Sequence, residues 1–121
     1  MKKLVDMDGK MNNLTKSEFM KIYDEGKNLT DKPIFIDFYA TWWGPCKMYE
    51  QVLNDITPEY SDKINLYEVN IEQEPEIAGL FRVMSVPTTT TISKSGSVYS
   101  QPGALNEETL KYFLEGLLQK N

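Results

Sequence analysis

Residues 37–48 read Asp-Phe-Tyr-Ala-Thr-Trp-Trp-Gly-Pro-Cys-Lys-Met, and they lead from a strand-like segment into a helix-like one. The strand-like segment, Pro33–Ala40, is nearly continuous in β-branched and aromatic residues, which is typical of a central strand covered on both faces. Beyond the turn, a helix from near Gly44 that ends before Pro58 is predicted by apolar residues at helical spacing: Tyr49, Val52, Leu53 and Ile56. The stretch therefore lies at a strand-to-helix junction.

Such a junction favours thiol chemistry, because free backbone N–H groups and the helix dipole stabilise a thiolate at the first helical positions. Position 43 is the exposed place for a thiolate, and tryptophan occupies it. Cys46, the single cysteine of the chain, comes three residues later, where a side chain points partly back into the protein. From the residues alone, Cys46 is either a small buried apolar side chain or a nucleophile.

Asp37 places one charge in the otherwise apolar strand. A carboxylate there is costly unless it is hydrogen-bonded or protonated, since removal from water raises its pKa. One interpretation is an ordinary polar position at the strand's edge or next to a cavity with water. The other is a buried acid that moves protons for the turn that follows.

Composition excludes several function classes. The chain has 121 residues, of which 40% are hydrophobic, enough for one compact core. Its net charge is −5 and no Lys or Arg cluster marks a face that would track phosphates, so we expect no nucleic-acid partner. With one cysteine and no histidine, a zinc site or a Cys-His pair cannot be assembled from its usual parts, and we expect neither metal nor cofactor.

No apolar stretch reaches the length of a signal peptide or a membrane span. We therefore expect a cytoplasmic location for the chain as written, or a periplasmic or exported one if a signal peptide was removed from it.

Outward from the junction, strand-like and helical segments alternate, which predicts an α/β fold. We expect a flexible N-terminal segment, 1–13, with a short strand near Met11 to Leu14, and one domain over 14–121. Thr15 and Glu18 have the spacing of a capping box, which predicts a first helix that runs to about Asn28. Later segments predict a strand over 64–70, a short helix over 74–81, a strand after Pro87, an antiparallel partner beyond Ser95-Gly96 and a closing helix capped by Asn106.

With these segments in order, the chain resembles the thioredoxin family from about Leu14 to Leu118. Residues 37–48 match the family's Trp-Cys-Gly-Pro-Cys-Lys segment at every position except Trp43, where the first cysteine belongs. Val86-Pro87-Thr88 is similar to the family's cis-proline loop, although the base rate for X-Pro bonds alone favours trans. Gly96 falls where the family has its hairpin glycine.

The resemblance implies the thioredoxin fold, a central mixed β-sheet flanked by helices on both faces. It implies that Cys46 is the resolving thiol, Trp43 the position of the missing nucleophile and Asp37 a buried acid for proton transfer. It further implies a groove that holds an extended substrate strand by backbone hydrogen bonds, formed by Trp42, Gly44, Pro45, Val86, Pro87, Gly103 and Ala104. An indole at position 43 can also block that groove.

Two departures from the family pattern concern the surroundings of the site. Gln51 stands where many members have a proline that kinks the helix. Glu68 stands where many have a lysine close to the buried acid, and a carboxylate there changes the titration of Asp37.

Three hypotheses follow for function. The first is a thioredoxin-type protein-disulfide reductase that serves redox homeostasis, here in a redox-inactive form that lacks the nucleophilic cysteine; one base separates the Cys and Trp codons. The second is a natural redox-inactive binding module or chaperone. The third is a monothiol enzyme that uses Cys46.

The partners implied are disulfide-containing or extended protein substrates. The parent form would also need a thioredoxin-reductase-like or membrane electron donor. We expect a monomer.

Overall fold

The computed structural model describes residues 11–120. A five-stranded mixed sheet consists of β1 (Asn12–Asn13), β4 (Ile34–Tyr39), β5 (Asn65–Asn70), β6 (Thr88–Ile92) and β7 (Val98–Pro102). The order of these strands across the sheet is β1-β5-β4-β6-β7. β1, β5 and β4 run parallel, whereas β6 and β7 are antiparallel to their neighbours. The central strand β4 is therefore paired on both sides, as its apolar sequence predicts.

Helices cover both faces of this sheet. They are α1 (Lys16–Ile22), α2 (Gly44–Ile56), α3 (Pro75–Leu80) and α4 (Glu107–Gln119), with a 3-10 turn, Thr57–Tyr60, after α2. One core joins Phe35 and Leu66 of the sheet to α2 and α4. The other joins Ile36 and Val69 to α1 and α3, because successive side chains of a strand point to opposite faces. The predicted fold class, a mixed sheet between helices, is confirmed.

The first helix is shorter than predicted. It begins as expected, with Thr15 Oγ1 accepting a hydrogen bond from the Glu18 amide, but it ends at Ile22 instead of near Asn28. A two-residue hairpin follows, in which β2 (Tyr23–Asp24) pairs with β3 (Lys27–Asn28). α1 ends where the backbone of Tyr23 becomes extended, and the turn residues Glu25 and Gly26 both have positive φ, which lets the chain fold back as a hairpin. The apolar spacing also stops at Tyr23, so nothing beyond it holds a helix to the core.

The short strand predicted near Met11 to Leu14 is present as β1. Met11 is buried in the core, and Asn12 and Asn13 pair with Tyr67 and Glu68. Residues 11–13 therefore pack against the predicted domain, and the boundary at residue 14 stays a prediction. The predicted flexible residues 1–10 lie outside the described part of the chain.

The remaining elements agree with the sequence. Asn106 caps α4 by accepting a hydrogen bond from the Thr109 amide at 2.8 Å, and Gly96 has positive φ in the turn between β6 and β7. Within residues 11–120, no helix is long and apolar enough to cross a membrane.

Candidate active site

Four chain segments meet at one end of the sheet. Phe38, at the end of β4, pairs with Thr88 of β6, and Thr88 pairs with Pro102 of β7. On its other side Tyr39 pairs with Asn70, the last residue of β5. One end of the sheet therefore carries the turn with the two tryptophans, the residue before β6 and the residues that follow β5 and β7.

Position 43 is the N-cap of α2. The Trp43 backbone is extended, and its carbonyl accepts a hydrogen bond from the Cys46 amide at 3.1 Å. The Trp43 side chain is 43% exposed, so a smaller side chain in its place would face solvent at the helix N-terminus. A thiol there would have the free N–H groups and the helix dipole that lower its pKa.

The neighbouring indole of Trp42 is held in place. It is 65% exposed, yet its Nε1 donates a hydrogen bond to Glu72 Oε1 at 2.8 Å. The rings of Trp42 and Trp43 meet edge to face with centroids 5.8 Å apart. The turn thus presents two aromatic rings to solvent, one of them tied to the loop after β5.

Cys46 lies in the first turn of α2 and is 4% exposed. Burial raises the pKa of its thiol; a backbone hydrogen bond with Ala40 lowers it, and the nearby Asp37 carboxyl raises it. The thiol is therefore buried and mostly protonated at neutral pH. This favours the interpretation of Cys46 as a small buried side chain over that of a nucleophile.

Asp37 lies beneath α2 on the same face of the sheet as Phe35, which packs against that helix. Its side chain is 2% exposed, and among residues 11–120 its Oδ1 has no hydrogen-bond partner. Burial raises the pKa of the Asp37 carboxyl well above its ordinary value, and Glu68 and then Glu50 raise it further. The structure thus favours the buried acid over the ordinary edge position.

Two tyrosines border the same acid. Burial, and then Glu68 and Asp37, raise the pKa of Tyr39 to about 12, and its hydroxyl contacts Asn13 Oδ1 at 3.2 Å. Burial also raises the pKa of Tyr49, whose hydroxyl hydrogen-bonds to Thr89 Oγ1 at 2.6 Å. Both hydroxyls therefore stay protonated beside Asp37 at neutral pH.

The residues predicted to form the groove lie at the end of the sheet that carries the tryptophan turn, and they differ in solvent exposure. Gly44, Pro45, Gly103 and Ala104 are exposed, Val86 is half-buried and Pro87 is buried. The Val86–Pro87 peptide bond is cis. The Gly103 amide donates a hydrogen bond to the Pro87 carbonyl at 2.8 Å. This bond joins the loop before β6 to the loop after β7. Their role in substrate binding stays a prediction.

Sequence reasoning missed Glu72 and Glu50. Glu72 follows the end of β5. Its position near the tryptophan turn could have been predicted, because the carboxyl ends of the parallel strands β4 and β5 meet at one edge of the sheet. Glu50 is on α2, one turn beyond Cys46, so helical spacing places it on the same side as the thiol. Within the described residues no group of three or more Cys, Asp or Glu side chains is arranged to hold a metal ion.

Comparison with known proteins identifies the family. The family model described as thioredoxin matches residues 10–116. The chain belongs to the thioredoxin family. The thioredoxin of Haemophilus influenzae is 36% identical over 85 residues, which cover 70% of this chain and 79% of that protein. Thioredoxin 1 of Nostoc sp. is 34% identical over 86 residues, 71% of this chain and 80% of that protein.

A solved structure gives the same result for the fold. The germline-specific thioredoxin Deadhead of Drosophila melanogaster superposes with a TM-score of 0.73 at 28% identity, over 88% of this chain and 97% of that one. Thioredoxins in general act on the disulfides of protein substrates and are monomeric. The edge that carries Trp43, Cys46 and Pro87 is therefore the candidate active site of a thioredoxin-type oxidoreductase domain.

Proposed function

We propose that this chain keeps the substrate surface and the resolving thiol of a thioredoxin-type protein-disulfide reductase, and that it is redox-inactive as written because Trp43 replaces the nucleophilic cysteine. One observation carries the proposal. Position 43 is exposed at the helix N-terminus and holds no sulfur, whereas the only sulfur of a cysteine in the chain is buried at Cys46. A parent form with cysteine at position 43 would have the attacking thiol where the fold stabilises it.

The chemistry explains why one thiol is insufficient. In disulfide reduction, an exposed thiolate attacks a substrate disulfide, forms a mixed disulfide and releases the first substrate sulfur as a thiolate. A second thiol of the enzyme then loses its proton and bonds to the first enzyme sulfur, which releases the second substrate sulfur. The substrate gains two electrons, and the enzyme pair becomes a disulfide that an electron donor must reduce. With Cys46 alone, neither the exposed attack nor the internal disulfide is available.

A monothiol enzyme is disfavoured by the same geometry. The Cys46 side chain is 4% exposed, and burial raises the pKa of its thiol. A substrate sulfur therefore has little access to this thiol, and the thiolate fraction at neutral pH is reduced.

A peptide-binding role without redox chemistry is the second candidate. Trp42 and Trp43 expose adjacent rings at the candidate active site, and Met84 is exposed in the loop that leads to Pro87. Exposed apolar side chains next to a strand edge are suited to an extended peptide. This candidate predicts binding of peptides that contain no cysteine, with a change in tryptophan fluorescence that is lost in Trp43→Ser.

Trapping of a mixed disulfide tests the reductase proposal. We expect Trp43→Cys/Cys46→Ser to form a stable covalent complex with a small protein that has one accessible disulfide, visible on a non-reducing gel. Trp43→Cys alone should not accumulate the complex, because Cys46 resolves it. The unaltered chain and Trp43→Ser, which removes the indole without adding a thiol, should form none.

Two results would contradict the proposal. One is a folded Trp43→Cys/Cys46→Ser that forms no complex, which shows that more than the nucleophile is missing. The other is a complex formed by the unaltered chain, which shows that Cys46 attacks external disulfides and supports the monothiol hypothesis. Circular dichroism of each variant establishes that it is folded.

A further inference from the structure

The buried acid has a carboxylate neighbour that is fixed by the strand register. Asp37 of β4 pairs directly with Glu68 of the parallel strand β5. Residues paired in register have side chains on the same face of the sheet, so both carboxyl groups point toward α2. Asp37 is almost fully buried and Glu68 is half-buried, so Glu68 keeps a path to water and Asp37 does not.

Within residues 11–120, the charged groups that shift the pKa of Asp37 are both acidic. β5 contributes Glu68, and α2 contributes Glu50 and the Cys46 thiol. The strand's own Tyr39 and the Tyr49 of α2 are protonated hydroxyls, and β6 presents the uncharged Thr89, paired with Asp37. In the part of the chain that the structure describes, none of these groups that border Asp37 is a cation. A proton on Asp37 is therefore the simplest way to avoid a second negative charge beside Glu68.

We propose that Glu68 is a positioning residue whose carboxylate opposes ionisation of Asp37 and sets the pH above which Asp37 can accept the proton of Cys46. The inference rests on the proposed function, because Cys46 gives up that proton only in the resolving step. In the Trp43→Cys chain this step moves the Cys46 proton to Asp37 and bonds the Cys46 sulfur to the introduced sulfur. The bond to the substrate sulfur breaks, and the substrate leaves as a thiolate that is protonated by water.

Glu50 is the natural comparison. It lies on α2 and also raises the pKa of Asp37, but less than Glu68 does. Neutralising each carboxylate in turn should therefore have effects of the same sign and different size. Glu108→Gln, at an exposed position in the first turn of α4, serves as the control, because Glu108 is not among the charges that shift the pKa of Asp37.

The test has one readout that does not need redox activity. The ¹³C chemical shift of the Asp37 carboxyl, followed against pH in the unaltered chain, gives the midpoint of its ionisation. We expect Glu68→Gln to move this midpoint to lower pH, Glu50→Gln to move it less, and Glu108→Gln to leave it in place. Glu68→Asp, which keeps the charge, should stay closer to the unaltered chain than Glu68→Gln does. Each pH unit of displacement changes the ionised fraction about tenfold at pH values below both midpoints.

The second readout is the pH profile of disulfide reduction by Trp43→Cys, with and without Glu68→Gln. The rising limb should move to lower pH with Glu68→Gln, in the same direction as the carboxyl midpoint. An unchanged carboxyl midpoint overturns the role of Glu68. A displaced midpoint with an unchanged profile overturns its link to Cys46. Trp43→Cys that is inactive at every pH overturns the proposed function, and with it that link, while the carboxyl titration still decides whether Glu68 controls Asp37.

Discussion

Replacing Asp37 with asparagine should change how the stability of the protein depends on pH. Asp37 is 2% exposed and lies beside Glu68 and Glu50, so its pKa in the folded protein is well above its ordinary value. The folded state therefore holds the proton more tightly than the unfolded chain, in which an aspartate titrates near about 3.9. The stability of the unaltered chain should fall as pH rises from about 4 to the folded-state pKa of Asp37.

The size of this effect follows from one proton. While Asp37 is ionised in the unfolded chain and protonated in the fold, the free energy of unfolding falls by up to about 1.4 kcal/mol per pH unit. Asparagine has the same shape and does not titrate. Its buried amide adds a cost of about 1–3 kcal/mol if it is unpaired, and this cost does not change with pH. The difference between Asp37→Asn and the unaltered chain should therefore grow with pH in favour of the variant.

Urea unfolding at half-unit steps from pH 4 to pH 9 measures this difference. Asp62→Asn, at an exposed loop position, is the matched control for loss of one carboxylate, and its curve should run parallel to that of the unaltered chain. A difference between Asp37→Asn and the unaltered chain that stays constant across the range would refute the reasoning. It would mean that Asp37 ionises at the same pH in the folded and unfolded states.

Three further predictions concern packing and the thiol. Gly96→Ala should destabilise the fold by about 1–3 kcal/mol more than Gly103→Ala, because both have positive φ but only at Gly96 does a Cβ collide with the Gly26 backbone; equal losses in urea unfolding would contradict this. Tyr49→Phe should cost about 1–3 kcal/mol, since it leaves the buried Thr89 hydroxyl without this partner, and an unchanged unfolding midpoint would show that the bond contributes nothing. Iodoacetamide should label Cys46 far more slowly in the folded protein than in urea, and equal rates would show that the thiol is not buried.

The elements that carry the site could be predicted because their sequences allow one structure. Pro33–Ala40 is apolar on both faces, so only a central strand buries it, and the helix after Pro45 follows from apolar spacing. The end of α1 could not be predicted with the same certainty. The polar residues from Asp24 onward are compatible with a helix, and the hairpin that replaces it depends on positive φ at Glu25, which sequence does not specify.

The protonation state of Asp37 could not be predicted from the sequence for a different reason. Its position in the strand predicts burial but not its neighbours across the sheet. The register with Glu68, the approach of Glu50 from α2 and the missing partner of Oδ1 are tertiary facts. The contact between Trp42 and Glu72 likewise joins two loops 30 residues apart. The sequence thus predicts which residues form the site. The protonation of Asp37 and the orientation of Trp42 depend on which segments are adjacent in the fold.

The measurement that tests the central claim most directly is the rate at which Trp43→Cys reduces a protein disulfide with a dithiol as electron donor. We predict that Trp43→Cys shows a rate proportional to its concentration, while the unaltered chain stays at the rate of the dithiol alone. A folded Trp43→Cys that stays at that background, or an unaltered chain that turns over, would contradict the claim that a single side chain separates this protein from an active thioredoxin-type reductase.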